Sequence, residues 1–357
     1  MKSRSIARYA GLVLVTILFL VVAVLPALPG VGALPVVFAV TAFQSLIFAM
    51  LGFVVLFVAL GAVFIEVKKR KNATAAASTS AVRSPSHPQL VGCIILALSC
   101  SIGSWLTSNS NALVGVSDIP APASNQLRIL SFNTDKAVPE AELLNLAVQT
   151  KPDIIVLPEQ DQTFTSSFDC NFVPANETEH VGQLCEIGRQ LDMNVYFWAD
   201  AAAQTLFVSN KLGEYQPIND ETPPFAGFYA EPTNQASTSP KITVAHLQRP
   251  EFGIGTSWWR KHLNWAGAMC SEPRSIAVGD FNATNENIGS NHLGTCTDIS
   301  SSLGYKPAGT WPSFLPAFWG APIDHVYIGS AFQPLWFGTL ADSYGSGHRP
   351  IFAIISE

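Results

Sequence analysis

Ser275-Ile-Ala-Val-Gly-Asp-Phe-Asn282 is the stretch from which the rest of this chain is read. Ser275 to Val278 is a short apolar run, long enough for one buried β-strand. Gly279 permits a sharp turn as that strand ends. Asp280 and Asn282 lie two apart, so in extended geometry both project to one side. A carboxylate beside a carboxamide can accept and donate hydrogen bonds and can bind a cation. Taken alone, Gly-Asp-x-Asn is an ordinary Asp/Asn turn. The other strands decide between the two readings.

Upstream, Leu127-Arg-Ile-Leu-Ser-Phe-Asn133, Asp153-Ile-Ile-Val-Leu-Pro-Glu159 and Lys241-Ile-Thr-Val-Ala-His246 repeat the form: an apolar run that ends in a polar side chain. Downstream, His325-Val-Tyr-Ile-Gly-Ser330 follows Asp324, and Pro350-Ile-Phe-Ala-Ile-Ile-Ser356 follows His348. Asn194–Trp198 and Thr205–Ser209 read as paired strands. Pro139–Val148 and Thr256–Ala268 carry helical spacing. Gly213–Pro240 is polar and proline-rich and predicts a long loop. Many short strands with two or three helices predict an α+β domain of packed sheets flanked by helices. In such a domain strand ends converge on one rim. That rim would gather Asn133, Glu159, His246, Asp280, Asn282, Asp324 and His348, the set that metal-assisted phosphoryl hydrolysis requires.

Charge divides the chain. Residues 1–107 hold eight Lys/Arg against one Asp/Glu, a net +7. Residues 108–357 hold twelve against twenty-five, a net −13. An acidic domain argues against nucleic acid as a partner, because phosphate neutralisation needs clustered Lys and Arg. Three apolar segments, Ala10–Leu28, Val36–Ile65 (the longest) and Leu90–Leu106 (the shortest), predict three transmembrane helices, set against the roughly 20 residues a bilayer requires. Lys2, Arg4 and Arg8 precede the first; Lys68, Lys69, Arg70, Lys71 and Arg83 lie in an expected loop at about 67–88. The positive-inside rule puts both basic stretches in the cytoplasm and everything after Trp105 outside. Residues 108–125 read as a linker, and residues 126–357 as an extracytoplasmic domain. Cys170, Cys185, Cys270 and Cys296 all fall in that domain and predict two disulfides, Cys170–Cys185 with Cys270–Cys296 being the simplest of three pairings. Trp258, Trp259 and Trp265 predict a packed helix face. His180, His262 and His292 have no motif context and are expected at the surface. His325 points to the opposite side of the strand from Asp324 and is expected to be structural.

In order along the chain, Ser131-Phe-Asn133, Leu157-Pro-Glu159, His246, Gly279-Asp-Phe-Asn282, Ile323-Asp-His325 and Ser346-Gly-His-Arg-Pro350 resemble the endonuclease/exonuclease/phosphatase family. The resemblance covers about residues 126–357. Thr310-Trp-Pro312 before Pro322-Ile-Asp324, behind apolar spans, is similar to a bacterial membrane-anchored branch linked to glycopeptide resistance. The resemblance implies a four-layer sandwich, two facing mixed β-sheets with helices outside. It implies Glu159, Asn133 and Asp135 at a Mg²⁺ site, with Mn²⁺ as the alternative. It implies catalytic roles for His348, Asp280, Asn282, Asp324 and His246, and phosphate binding by Asn133, Asn282 and His246. Gly347 departs from the family's Ser-Asp-His pattern. That departure leaves open a single metal at Glu159, a shifted ligand such as Asp135 or Asp342, or weakened catalysis. The implied function is hydrolysis of phosphate mono- or diesters, lipid-linked ones in view of the anchor. The alternatives are a nonspecific surface nuclease and a catalytically weakened phosphate- or lipid-binding protein.

Overall fold

The computed structural model describes residues 2–24, 35–75, 87–107, 112–160, 167–171, 173, 179–198, 203–218, 222–234, 236–250, 254–290 and 292–357. The chain divides into two units, residues 1–32 with 39–108, and residues 33–38 with 109–357.

The apolar N-terminal part forms α1 (Lys2–Val24), α2 (Pro35–Ala42), α3 (Gln44–Ala75) and α4 (His87–Thr107). Val55, Leu96 and Cys100 are buried among α1, α3 and α4. The expected second span is not one helix. α2 and α3 are divided at Phe43 alone, beside polar Thr41, Gln44 and Ser45; the Phe43 N–H still donates to the Ala39 carbonyl at 3.0 Å, and Gln44 Nε2 donates to the Val22 carbonyl at 2.8 Å. Past the apolar stretch, α3 continues through Lys68–Lys71 to Ala75, because Lys and Arg are good helix formers. The expected loop therefore starts later than residue 67; the rest of it, 76–86, lies outside the described residues. Among the described residues one stretch, Gln44–Ile65, is long and apolar enough to cross a membrane; Val13–Val24 and Val91–Thr107 are shorter. The expectation of three spans is thereby reduced to one that meets the length requirement.

The second unit runs β1 (Gln126–Ser131), α5 (Glu140–Thr150), β2 (Ile154–Leu157), β3 (Phe168–Asp169), α6 (Glu179–Leu191), β4 (Met193–Trp198), β5 (Gln204–Ser209), β6 (Tyr215–Ile218), β7 (Gly227–Pro232), β8 (Lys241–His246), α7 (Ile254–Met269), β9 (Ser275–Asp280), α8 (Asn285–Ile288), β10 (His292–Leu293), β11 (Cys296–Asp298), α9 (Ile299–Ser302), β12 (Asp324–Ile328), β13 (Gln333–Thr339) and β14 (Ile351–Ser356). One sheet has the order β13-β14-β1-β2-β5-β4-β3 and the other β10-β11-β12-β9-β8-β7-β6. Both are mixed: β1 runs parallel to β2 and β8 parallel to β9, and the other pairs are antiparallel.

Side-chain alternation explains the layers. Leu127 and Ile129, Ile154 and Val156, Ile242 and Val244, Ile276 and Val278, and Val326 and Ile328 share one core between the sheets. Leu130, Ile155 and Phe207 face the other way, onto Leu143 and Leu146 of α5 and Leu184 of α6. Ala245, Ala277 and Tyr327 face Trp259 and Trp265 of α7. The result is four layers, helix–sheet–sheet–helix; of the expected tryptophan face on α7, Trp259 and Trp265 are packed, whereas Trp258 is half-buried beneath Lys261.

Two expectations need correction. The stretch Gly213–Pro240 is not a plain loop; it contains β6 and β7. Nor is the segment before β1 a free linker: the Val114 N–H donates to the Thr339 carbonyl and the Ala341 N–H to the Val114 carbonyl, so it lies along the end of β13. Arg128, buried in β1, donates to the Pro120 carbonyl at 2.8 Å and secures the same segment. Disulfides join Cys170 to Cys185 and Cys270 to Cys296, the simplest pairing.

Candidate active site

The alternation that builds the inter-sheet core also delivers the polar rim. Asn133 continues the row Leu127, Ile129, Ser131. His246 continues Ile242 and Val244, Asp280 continues Ile276 and Val278, and Asp324 stands at the head of Val326 and Ile328. Strand register aligns them: Asp280 pairs with His246 on one side and with Asp324 on the other. Each of these groups therefore caps the hydrophobic core at one end of the sandwich.

Asn133 Nδ2 bridges the two sheets, donating to Glu159 Oε1 at 3.1 Å and to Asp280 Oδ2 at 3.0 Å. Its oxygen accepts the Asp135 N–H at 3.0 Å, so its amide is turned N–H-first toward the carboxylates. His246 Nε2 lies 3.1 Å from Glu159 Oε1. His348 Nδ1 lies 3.0 Å from Asp324 Oδ2, and its Nε2 lies 3.8 Å from Asp280 Oδ2. Ser346 fixes this last loop: its hydroxyl donates to the Asn133 carbonyl at 2.7 Å and accepts the His348 N–H at 2.9 Å.

Three placements differ from the expectation of simple strand ends. Glu159 has φ 54°, a left-handed residue after β2, and its carbonyl accepts from Thr134 Oγ1 and the Lys136 N–H. Asn282 has φ 49°, so it does not extend the row of Asp280. Instead its N–H donates to Asp280 Oδ1 at 2.7 Å and its Nδ2 to the Leu247 carbonyl at 2.9 Å. That arrangement is an Asx turn, which clamps Asp280 and the exit of β8 together. Gly279 is not a turn at all. It lies within β9 at φ 139°, and a Cβ there would stand 2.0 Å from the Ala245 carbonyl oxygen, so β8 and β9 approach only because it is glycine.

Electrostatics follows from this packing. The Glu159 carboxyl is held down to about 2, chiefly by its hydrogen bond with His246. Burial and then the neighbouring Asp324 charge push the Asp280 carboxyl up. Burial opposes protonation of His348, but the charge and hydrogen bond of Asp324 outweigh it and raise the imidazole to about 9. His246 is raised too; burial is outweighed by its bond to Glu159 and by the Asp280 charge. Two imidazoles with raised proton affinity thus stand among three carboxyl groups at the rim.

The sequence model of the Endonuclease/Exonuclease/phosphatase family matches residues 130–343. The chain belongs to this family. Members of the endonuclease/exonuclease/phosphatase family are divalent-metal-dependent phosphoester hydrolases, and the chain is a hydrolase of that class. Among solved structures it is similar to an AP endonuclease from Leishmania major, at 12% identity and TM-score 0.51, over 71% of this chain and 94% of that one. It is also similar to an endonuclease/exonuclease/phosphatase protein from Beutenbergia cavernae (14% identity, TM-score 0.48, 65% of this chain and 72% of that one). A mannosyl-6-phosphatase from Bacteroides thetaiotaomicron matches at 14% identity and TM-score 0.46, over 65% of this chain and 100% of that one. At these identities the likeness concerns the fold. No curated protein sequence matches the chain.

The rim suits the metal that endonuclease/exonuclease/phosphatase proteins use. Ligand atoms of Glu159, His246 and Asp280 lie within 4.8 Å of one another, as do those of Asp280, Asp324 and His348. Asp324 Oδ1 is buried without a hydrogen-bond partner among the described residues. Paired buried carboxylates with an open oxygen fit a divalent cation. Asp135, expected among the ligands, is exposed and outside both groups. Its Oδ2 lies 3.0 Å from where a Cβ on Gly347 would stand, so its carboxylate borders the space that Gly347 leaves open. Asp342 accepts the Tyr344 N–H in a turn.

The three unassigned histidines separate. His292 is exposed and His180 half-buried beside Glu140. His262 is buried, contrary to expectation; its Nδ1 accepts the Gln248 N–H, and burial lowers its imidazole to about 4. Its i, i+3 spacing from Trp259 was the available signal. His325 lies behind the rim, its ring held between Asp298 at 3.0 Å and the Ala283 carbonyl at 2.9 Å.

Proposed function

We propose that the chain is a membrane-anchored, Mg²⁺-dependent hydrolase of phosphate mono- or diesters, with lipid-linked phosphates at the outer membrane surface as the substrate class. One observation carries it: seven residues from six separate segments meet at one end of the sandwich, linked by Asn133, whose amide touches carboxylates from both sheets.

Glu159 and Asp280, in one cluster with His246, would hold the cation, and their oxygen donors suit Mg²⁺ or Mn²⁺. Such a cation supplies charge neutralisation for the transferring phosphoryl group. His348, protonated at neutral pH, donates to phosphate or to the leaving oxygen. Asp324 orients it through Nδ1. Asp280, its carboxyl raised by burial, receives the proton of the attacking water, and the Asn282 N–H occupies its Oδ1. His246 meets phosphate oxygens beside Glu159.

The membrane part of the reading rests on Gln44–Ile65 and on the outward apolar faces of the N-terminal helices, with Phe57 and Phe64 about seven-tenths exposed (73% and 69%). Basic residues 68–71 favour the cytoplasmic side for the end of α3; on this reading α4, with its shorter apolar stretch Val91–Thr107, crosses back and leaves residues 126–357 on the outer side. The same features support the membrane-anchored branch. The net −13 of residues 108–357 weighs against a nuclease.

The test is hydrolysis of lipid phosphates, lipid diphosphates and plasmid DNA by the purified full chain, with Mg²⁺ and with chelator. Chelator-sensitive turnover that falls at least about a hundredfold in Glu159→Ala is expected. Identical background in both proteins would remove the enzymatic reading. A gain in turnover in Gly347→Asp would identify a weakened enzyme.

A further inference from the structure

Among the described residues of the globular unit, the most exposed large apolar side chain is Phe314, at 83%. It belongs to the segment between α9 and β12, which from Ala308 to Ile323 contains no charged residue. Phe318 and Trp311 on the same loop are 47% and 39% exposed. An aqueous protein surface normally breaks such a run with charge, so this patch calls for a partner.

The backbone of the loop is closed on itself. Gly309 N–H donates to the Ala317 carbonyl, Thr310 and Trp311 to Ala321, Ala321 to Trp311, Leu315 to Pro312, and Trp319 to Pro316. Pro312, Pro316 and Pro322 have no N–H to satisfy. The buried Arg349 guanidinium takes up the carbonyls of Gly309 (3.1 Å), Leu315 (2.7 Å) and Ser313. At the neck Gly309 and Gly320 meet backbone to backbone; a Cβ on Gly309 would lie 2.4 Å from the Gly320 carbonyl carbon. A partner protein would profit from free donors and acceptors. A lipid phase penalises them, and at residues 309–311, Leu315, Trp319, Gly320 and Ala321 the N–H groups are spent internally.

The loop is also fastened to the rim. Ser313 donates through its N–H to the Gly347 carbonyl at 2.8 Å and through its hydroxyl to the Ser346 carbonyl at 2.7 Å. Thr310 Oγ1 accepts the Ile323 N–H, one residue before Asp324, and the Arg349 N–H, one residue after His348, donates to the Thr310 carbonyl.

We infer that loop 309–321 is a bilayer-contacting surface: Trp311, Phe314 and Phe318 enter the interfacial region of a phospholipid membrane and bring the Asp324–His348 edge to headgroup depth. Aromatic side chains favour that region. The net negative charge of residues 108–357 selects a zwitterionic lipid surface over an anionic one. The role of the loop in presenting lipid phosphate rests on the phosphoester reading of the rim; its contact with lipid does not.

The experiment uses the full chain in phosphatidylcholine nanodiscs, with Cys93→Ala and Cys100→Ala removing the free cysteines. Nitroxides are placed at Phe314→Cys, Phe318→Cys and, as a control, Val148→Cys on the exposed side of α5 (54%). Oxygen should reach the first two several-fold better than a water-soluble nickel chelate, and the control should show the reverse. A loop nitroxide as chelate-accessible as the control overturns the inference. Spin–spin broadening at position 314 assigns the loop to a second copy of the chain and also overturns it. In a parallel arm, Phe314→Ser should lower turnover of bilayer-embedded dioleoyl phosphatidate about tenfold while leaving bis-para-nitrophenyl phosphate unchanged. Equal losses on both esters overturn the presenting role. Turnover of neither ester by the unmodified chain removes the phosphoester reading, and the accessibility result then decides the lipid contact alone.

Discussion

His348 faces Asp324 at hydrogen-bond distance and Asp280 slightly beyond it, and this asymmetry sets a pH dependence. Its folded pKa, about 9, lies above the unfolded value of roughly 6.5. The associated stability is fully present below about pH 6.5 and is lost as pH rises through about 9. In chelator, denaturant unfolding of the unmodified chain and of Asp324→Asn should differ by about 3 kcal/mol near pH 6, and the gap should shrink by about pH 10. A gap of constant size would contradict the ion pair. At this scale much was legible in the sequence, for a specific reason. Asn133, His246, Asp280 and Asp324 each continue an apolar row with period two, so their facing follows from the strand itself. Glu159 and Asn282 were legible as residues but not as geometry. A positive φ at a non-glycine is imposed by the bonds around it, such as those from Thr134 and Lys136 to the Glu159 carbonyl.

Strands β8 and β9 show what a single position does for an element. Gly279→Ala brings a Cβ to 2.0 Å from the Ala245 oxygen and places alanine at φ 139°. The two strands must separate or the sheet must buckle, and a loss of about 3 kcal/mol or more is expected. Urea midpoints with an unchanged m-value check this; a shift below about 1 kcal/mol would mean the strands relax freely. The elements that sequence left unread have physical causes. Strand β6 contains Pro217 and pairs only with β7, and the sheet edge tolerates the missing donor that a central strand would not. Pattern alone reads such a stretch as loop. Helix α6 is different: Val181, Leu184 and Ile187 recur every third residue and are buried, so its signal was present. The expected second span survives in shortened form, Gln44–Ile65, because the apolar run from Val36 is divided at Phe43 beside Thr41, Gln44 and Ser45.

Taken whole, the molecule joins a basic apolar N-terminal part to an acidic sandwich stapled by two disulfides. The charge split, the family motifs and the cysteine count were all readable, whereas the docking of Val114 along β13 was not, because one apolar residue in a polar stretch carries no pattern. Replacing Cys170 and Cys185 by serine, which opens a 15-residue separation, should cost about 3 kcal/mol of stability, read as a lowered unfolding midpoint. An unchanged midpoint would show that β3 and α6 hold together without the bond. The continuation of core rows into the rim has one more effect. A slip of one residue in β8 or β9 would turn His246 or Asp280 away from its partners along with the whole row behind it. Misassembled copies of this chain would then be silent rather than wayward: any molecule that turns over substrate has, by that act, reported that its two sheets are in step.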